Sequence, residues 1–231
     1  MKKTLLGLVL LAIVPATYAQ EKATDRTDNG SLLKLSIGGG ISQMSLSSFN
    51  DLAKANNFPA FRSGIQPAFS LGLRLGDPGE KIFTELNASF LFGSSPETNG
   101  YKASQKASDF DVNINVTAFK KGRHLLYPGL GIGFLTSNIT YAENLSGRSF
   151  GQTLQVISGE RTFSTNWNIY LNPRIAYDYK LGKEKRWAVG VLAGYRIGVN
   201  KPKWKVSDNQ KLDDAPKSSA SGFYAGVRLT F

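Results

Sequence analysis

The chain of 231 residues is long enough for one domain and has no cysteine, a single histidine and 24 glycines. Without cysteine, a disulfide scaffold, thiol chemistry and any cysteine metal site are excluded. The formal charge of +11 is divided among turns and the last loop, not gathered in one patch, and with the export signal below this argues against a nucleic-acid partner.

Residues 1–19 read MKKTLLGLVLLAIVPATYA: two lysines, an apolar run, a helix-breaking Pro15 and small residues at the end. The run is too short to span a bilayer, so the segment predicts a cleaved signal peptide, not an anchor. With no cysteine at the cleavage point, a lipoprotein anchor is excluded. Residues 20–31 then form a short N-terminal periplasmic segment and 32–231 the folded domain. No later stretch is apolar and long enough for a transmembrane helix.

From residue 33 onward the dominant signal is strict alternation, which predicts strands. Eight segments carry it: 33–44, 65–75, 82–92, 110–118, 126–136, 166–179, 187–199 and 222–231. In the first, Leu33, Leu35, Ile37 and Ile41 share one face and Lys34, Ser36, Gly38 and Gly40 the other. In the fourth, Phe110, Val112, Ile114 and Val116 oppose Asp111, Asn113 and Asn115. The fifth places Gly129, Gly131 and Gly133 between outward Pro128, Leu130, Ile132 and Phe134. The sixth sets Trp167, Ile169, Leu171, Pro173, Ile175, Tyr177 and Tyr179 against Asn166, Asn168, Tyr170, Asn172, Arg174, Ala176 and Asp178.

Connections alternate between tight (76–80, 120–123, 182–186) and long (47–64, 93–109, 137–164, 200–221). The fold class expected is therefore all-β: an eight-stranded antiparallel up-and-down transmembrane β-barrel with short periplasmic turns, long extracellular loops and both termini in the periplasm. An even strand count closes the sheet without an edge. Pro67, Pro128 and Pro173 fall inside strands on the outward face, where they suggest bulges. Outward aromatics gather into two girdles: Phe90, Phe92, Phe110, Trp167 and Phe223 at the outer rim, and Tyr177, Tyr179, Trp187 and Phe231 at the periplasmic rim. A soluble, lipocalin-like barrel is the rival fold, and would reverse the two faces.

The inward face carries Lys34, Arg74, Glu85, Asp111, Arg174, Asp178, Arg196 and Arg228. A lumen of eight strands is filled by side chains, so these charges must pair. Glu85 with Arg74 and Arg228 is the expected core of a structural network that also includes Arg174, Asp178 and Arg196. The sole histidine, His124, falls at a turn, and no GxSxG elbow, HExxH pair or metal-spaced carboxylate cluster is present. No catalytic residue, metal or cofactor is expected. The glycines at 38–40 lack the Lys and Ser/Thr of a phosphate loop and make room for interior neighbours. Lys201, Lys203 and Lys205 beside Trp204 form a basic cluster that could meet lipopolysaccharide phosphates, or be a solvated loop.

The last ten residues, GFYAGVRLTF, alternate to the end and stop on an aromatic. They resemble the closing strand of bacterial outer-membrane barrels, which implies an assembly signal at Tyr224, Leu229 and Phe231 and the barrel-assembly machinery as a partner. In strand count, signal peptide and terminal Phe the chain resembles the PorT-like barrels of Bacteroidetes and, more distantly, OmpX-type barrels. Some PorT-like members support secretion or gliding machinery. Some small barrels of this kind modify lipid A through a His with Ser and an acidic residue near the outer surface, a set His124 does not match. The resemblance implies residence in the bacterial outer membrane among its lipid and lipopolysaccharide. The function expected is non-enzymatic, with loops serving surface interaction or envelope integrity. The alternatives are a narrow channel or hydrophobic-ligand transport barrel and, third, a lipid A-modifying enzyme.

Overall fold

The computed structural model describes residues 33–61, 64–76, 81–144, 160–182, 187–206, 210–211 and 215–231. The expected signal peptide and residues 20–31 lie outside these, as does most of the expected tight turns at 76–80 and 182–186. Eight strands form the wall: β1 (Leu33–Gln43), β2 (Ile65–Leu75), β3 (Ile82–Phe92), β4 (Tyr101–Val116), β5 (His124–Glu143), β6 (Arg161–Leu181), β7 (Trp187–Gly198) and β8 (Gly222–Thr230). Each pairs antiparallel with its sequence neighbours, and β8 returns to β1 through Gly38 opposite Arg228 and Ser36 opposite Thr230, closing the ring. Closure leaves no unpaired edge among these strands. One helix, α1 (Ser47–Ala55), follows β1.

The outward face is apolar and exposed. Leu130, Ile132 and Ile114 are 55–60% accessible, while the residues alternating with them, Asn113 and Asn115, are fully buried. This inverts a water-soluble protein, where large apolar side chains lie inside and amides outside. Outward aromatics form two rows. Phe110, Phe134 and Trp167 pack with tilted rings toward one end, with ring centroids 5.7 and 4.9 Å apart, and Trp187 meets Phe231 at 5.3 Å at the other.

Beyond the first row the polarity of the wall reverses. On β4 the inward side becomes Ala103 and Ala107 and the outward side Lys102 and Lys106; on β5 Leu135, Ile139 and Tyr141 turn inward while Asn138 is exposed. These protruding ends are strand, so the expected loops at 93–109 and 137–164 are shorter than the alternation of apolar residues indicated. β4 begins at Tyr101, β5 runs to Glu143 and β6 begins at Arg161.

The three strand prolines make no bulges. Pairing runs in constant register through Ile41–Pro67, Pro128–Ile175 and Leu130–Pro173. Each proline lies where one of its two ladders is missing: the β2–β3 ladder starts at Ala68, the β4–β5 ladder stops at Gly129, and the β6–β7 ladder skips from Leu171 to Arg174. A residue without an N–H is tolerated there. The register shift falls elsewhere, between Leu135 and Ser137 against β6. There Asn166 and Trp167 are both exposed and Trp167 adopts φ 63°. The bulge turns outward Asn166, which simple alternation had placed inside.

Candidate functional site

The lumen is filled in layers. Nearest the tight turns, Arg74 and Glu85 lie opposite one another on β2 and β3. Arg74 donates from Nε to Glu85 Oε1 at 2.7 Å and from its terminal nitrogen to Asp178 Oδ2 and the Tyr127 hydroxyl, each at 2.7 Å. Arg228 reaches Glu85 and Asp178 at 3.3 and 3.2 Å, and Arg174 closes the group on Glu85 and on Asn115 Oδ1 at 2.9 Å. The Tyr127 hydroxyl donates to Asp178 Oδ2 at 2.9 Å, and its ring lies under the Arg74 and Arg228 guanidinium groups. Five charged side chains from β2, β3, β6 and β8 are thus paired with almost no solvent contact.

A second layer lies above it. Arg196 donates to Asp109 Oδ2 at 2.7 Å, to the Gln43 carbonyl at 2.7 Å and to the Ser42 hydroxyl, while the Tyr170 hydroxyl donates to Asp109. Tyr224 donates to Asn172 Oδ1 at 2.7 Å and Gln66 to Gln105 Oε1 at 2.6 Å. Beside these layers a cavity of about 60 Å³, lined by Ser70, Asn87, Asp111, Arg174 and Arg196, has room for a few waters.

Inward glycines make this packing possible. Gly190 lies between Asp178 on β6 and Arg228 on β8, and Gly131 between Asn113 and Asn172, whose side chains bond at 3.1 Å. A methyl at Gly190 would fall 2.1 Å from Asp178 Oδ1, and one at Gly40 2.1 Å from the Ala225 carbonyl. The glycine run at 38–40 thus serves close approach of β1 and β8.

The end opposite the tight turns is capped by apolar side chains. α1 lies across it, turning Phe49 and Ala53 onto Met44, Leu135, Ile139 and Trp204. The Phe49 ring is 4.8 Å from Trp204 and 5.8 Å from Phe163. Asn50 pins the chain behind the helix through reciprocal bonds to Phe61, at 2.9 and 3.0 Å.

The structure brings five of the six expected network residues together in the lower layer, Arg74, Glu85, Arg174, Asp178 and Arg228, whereas Arg196 stands apart in the upper layer, paired with Asp109. Asp109, Tyr127 and the bonded role of Tyr170 were missed. Asp109 continues the run Asp111, Asn113, Asn115 by one step, and reading the alternation back two residues would have found it. In the basic cluster Lys201 and Lys203 are exposed and Lys205 is half-buried, but Trp204 is 1% exposed. Trp204 belongs to the cap core and cannot contact lipopolysaccharide, because Phe49 and the β6 end cover it. Of the C-terminal residues Phe231 is exposed and Leu229 shares its face, while Tyr224 points into the lumen. His124 opens β5 at the tight-turn end, its Nδ1 2.6 Å from the Tyr177 hydroxyl.

Among solved structures the chain matches a major outer membrane protein from Thermus thermophilus at 10% identity and TM-score 0.52, over 87% of this chain and 100% of that one. The fold is that of an outer-membrane β-barrel. Two others share its outline at TM-scores below one half: Neisserial surface protein A (9% identity, TM-score 0.48, 88% of this chain and 98% of that one) and Ail, the attachment invasion locus protein of Yersinia pestis (14%, 0.44, 86% and 97%). At these identities the likeness is one of fold alone. No family model and no curated protein matches the chain.

Proposed function

We propose that this protein is a non-enzymatic, integral outer-membrane barrel with a sealed lumen that acts through its protruding end. The observation that carries the reading is the reversal of wall polarity. Apolar-out alternation on β5 covers residues 126–134, within the about 9–11 residues a tilted membrane strand needs, and it stops at an aromatic row. Above that row the outward residues of β4 and β5 are mostly polar and the inward ones mostly apolar, Ala103, Ala107, Ile139 and Tyr141 with Gln105 and Ser137 among them, as suits strands standing in water. Protruding strands, α1 and the lysines then face outside, and the tight turns and His124 face the periplasm. The strand count, the signal-like first 19 residues and the terminal Phe231 are what support kinship with PorT-like barrels.

The paired charges that fill the lumen weigh against a conduit, and the placement of the sole histidine at the tight-turn end weighs against lipid A chemistry at the outer surface. Boiled and unboiled samples of the outer-membrane fraction from the native host test the reading. The expected result is enrichment there with a shifted unboiled band; a soluble periplasmic band without a shift overturns it. Lys201, Lys203 and Lys205 supply the proposed contact to lipopolysaccharide phosphates. Replacing all three with Gln should lower lipopolysaccharide binding, and unchanged binding removes that contact.

A further inference from the structure

The cap is not solid. Between α1 and the protruding ends of β5 and β6 lies a cavity of about 260 Å³. Its walls are aromatic and aliphatic: Phe49, Phe58, Tyr141, Phe163 and Trp204, with Leu52 at the mouth. The site is built, not a loose seam. Asn50 ties α1 to Phe61, and the Tyr141 hydroxyl donates to the Pro59 carbonyl at 2.9 Å, fixing the chain that forms one side. The Phe58 ring packs against Tyr141 at 5.3 Å and Tyr101 at 4.9 Å. Leu52 and Phe58 nevertheless remain 43% and 36% exposed, so apolar surface is held open toward the solvent side.

Among the described residues, polar chemistry at this cavity is sparse and of one sign. Asn56 is engaged with the Leu52 carbonyl at 2.9 Å. Arg161, the first residue of β6, lines the cavity, is exposed and makes no ion pair among the described residues. We propose that this cavity binds a single-chain amphiphile with an anionic headgroup, the chain lying among Phe49, Phe163 and Trp204 and the headgroup meeting Arg161. The volume falls just below the roughly 300–1,000 Å³ of small-ligand pockets, which suits one chain and excludes a multi-chain glycolipid. The proposal goes beyond the reading of the protein as a membrane barrel, since neither the cavity nor Arg161 depends on which side of a membrane the cap faces.

Trp204 gives a local reporter. In the protein with Trp167→Phe and Trp187→Phe, held in amphipol, Trp204 is the remaining tryptophan, and fatty acids brominated near the methyl end should quench it saturably. Affinity should rise about fourfold per added methylene until the chain outgrows the cavity. Arg161→Gln should weaken the acid about fivefold and leave the matching brominated alcohol unchanged. Filling the cavity with Ala215→Leu, or with Ala53→Leu if the first fails the heat-shift test for folding, should abolish saturable quenching. Saturable quenching undiminished in a folded, filled variant, or quenching already linear in the unfilled protein, overturns the site. Equal binding of acid and alcohol, indifferent to Arg161→Gln, overturns the anionic headgroup.

Discussion

Glu85 is the side chain on which the lower layer turns. Three arginines converge on its two oxygens, and Asp178 is the other carboxylate within ion-pair distance of them among the described residues. Removing one partner of a buried pair leaves an uncompensated charge, which costs about 3–5 kcal/mol. Glu85→Ala should therefore destabilise the micelle-solubilised barrel by that amount in urea unfolding, and Glu85→Gln, which keeps an acceptor, by less. Adding Arg228→Met to Glu85→Ala should restore part of the loss, because one stranded cation is gone. An unchanged midpoint in the alanine variant would show that water, not Glu85, satisfies the arginines. The network was legible in the sequence because alternation assigns each charge to a face, and a filled lumen forces those on one face to meet. Which residues pair across the ring was not legible beyond Glu85 with Arg74 and Arg228: Asp178 and Arg228 are brought together over Gly190 by strand register, a property of the closed sheet.

At the scale of elements, β2, β3 and β7 follow the apolar alternation to within a residue, since their lengths match the apolar band. β4, β5 and β6 outrun it for a physical reason. Their ends stand above the band, where Lys102, Lys106 and Asn138 point out and Ala107, Ile139 and Phe163 point in, so a search for one apolar face loses the strand where the faces exchange roles. The β6 bulge was invisible for a different reason, since nothing in Asn166–Trp167 announces an extra residue. It is stabilised from outside the ladder: the Asn200 side chain accepts from the Ile169 N–H and donates to the Trp167 carbonyl, each at 2.7 Å, continuing β7 past its end. Deleting Asn166 should leave a folded barrel, because Thr165 stays inward, Trp167 outward and Asn168 inward, and a left-handed φ on a tryptophan is removed. Deleting Ile132 in the regular part of β5 exchanges the faces of half a strand and should abolish the folded band on an unboiled gel. If both deletions fold equally, register is not what fixes this wall.

For the whole molecule, the question is which layer seals the barrel. The apolar cap and the two charged layers lie in series along the lumen, with about 60 Å³ of free space beside the latter. A barrel of eight strands is just wide enough for side chains to fill, so the charged layers alone should exclude ions. The wild-type protein should carry no steady current in planar bilayers. Removing residues 47–61 takes away α1 and the pinned chain behind it. It leaves Ser45, Leu46, Arg62 and Ser63 to join β1 to β2, whose ladder already closes at Gln43 opposite Ile65, with Met44 N–H bonded to the Gly64 carbonyl at 2.7 Å. That variant should remain heat-shifted and closed, because Arg196, Asp109 and Tyr170 still cross the lumen beneath the missing cap. An ohmic current from it would make α1 a plug and the charge network a lining, returning the barrel to the class of narrow conduits. A closed deletion variant leaves the cap free of any sealing duty, and its helix and cavity then need another reason to exist, which the anionic amphiphile supplies.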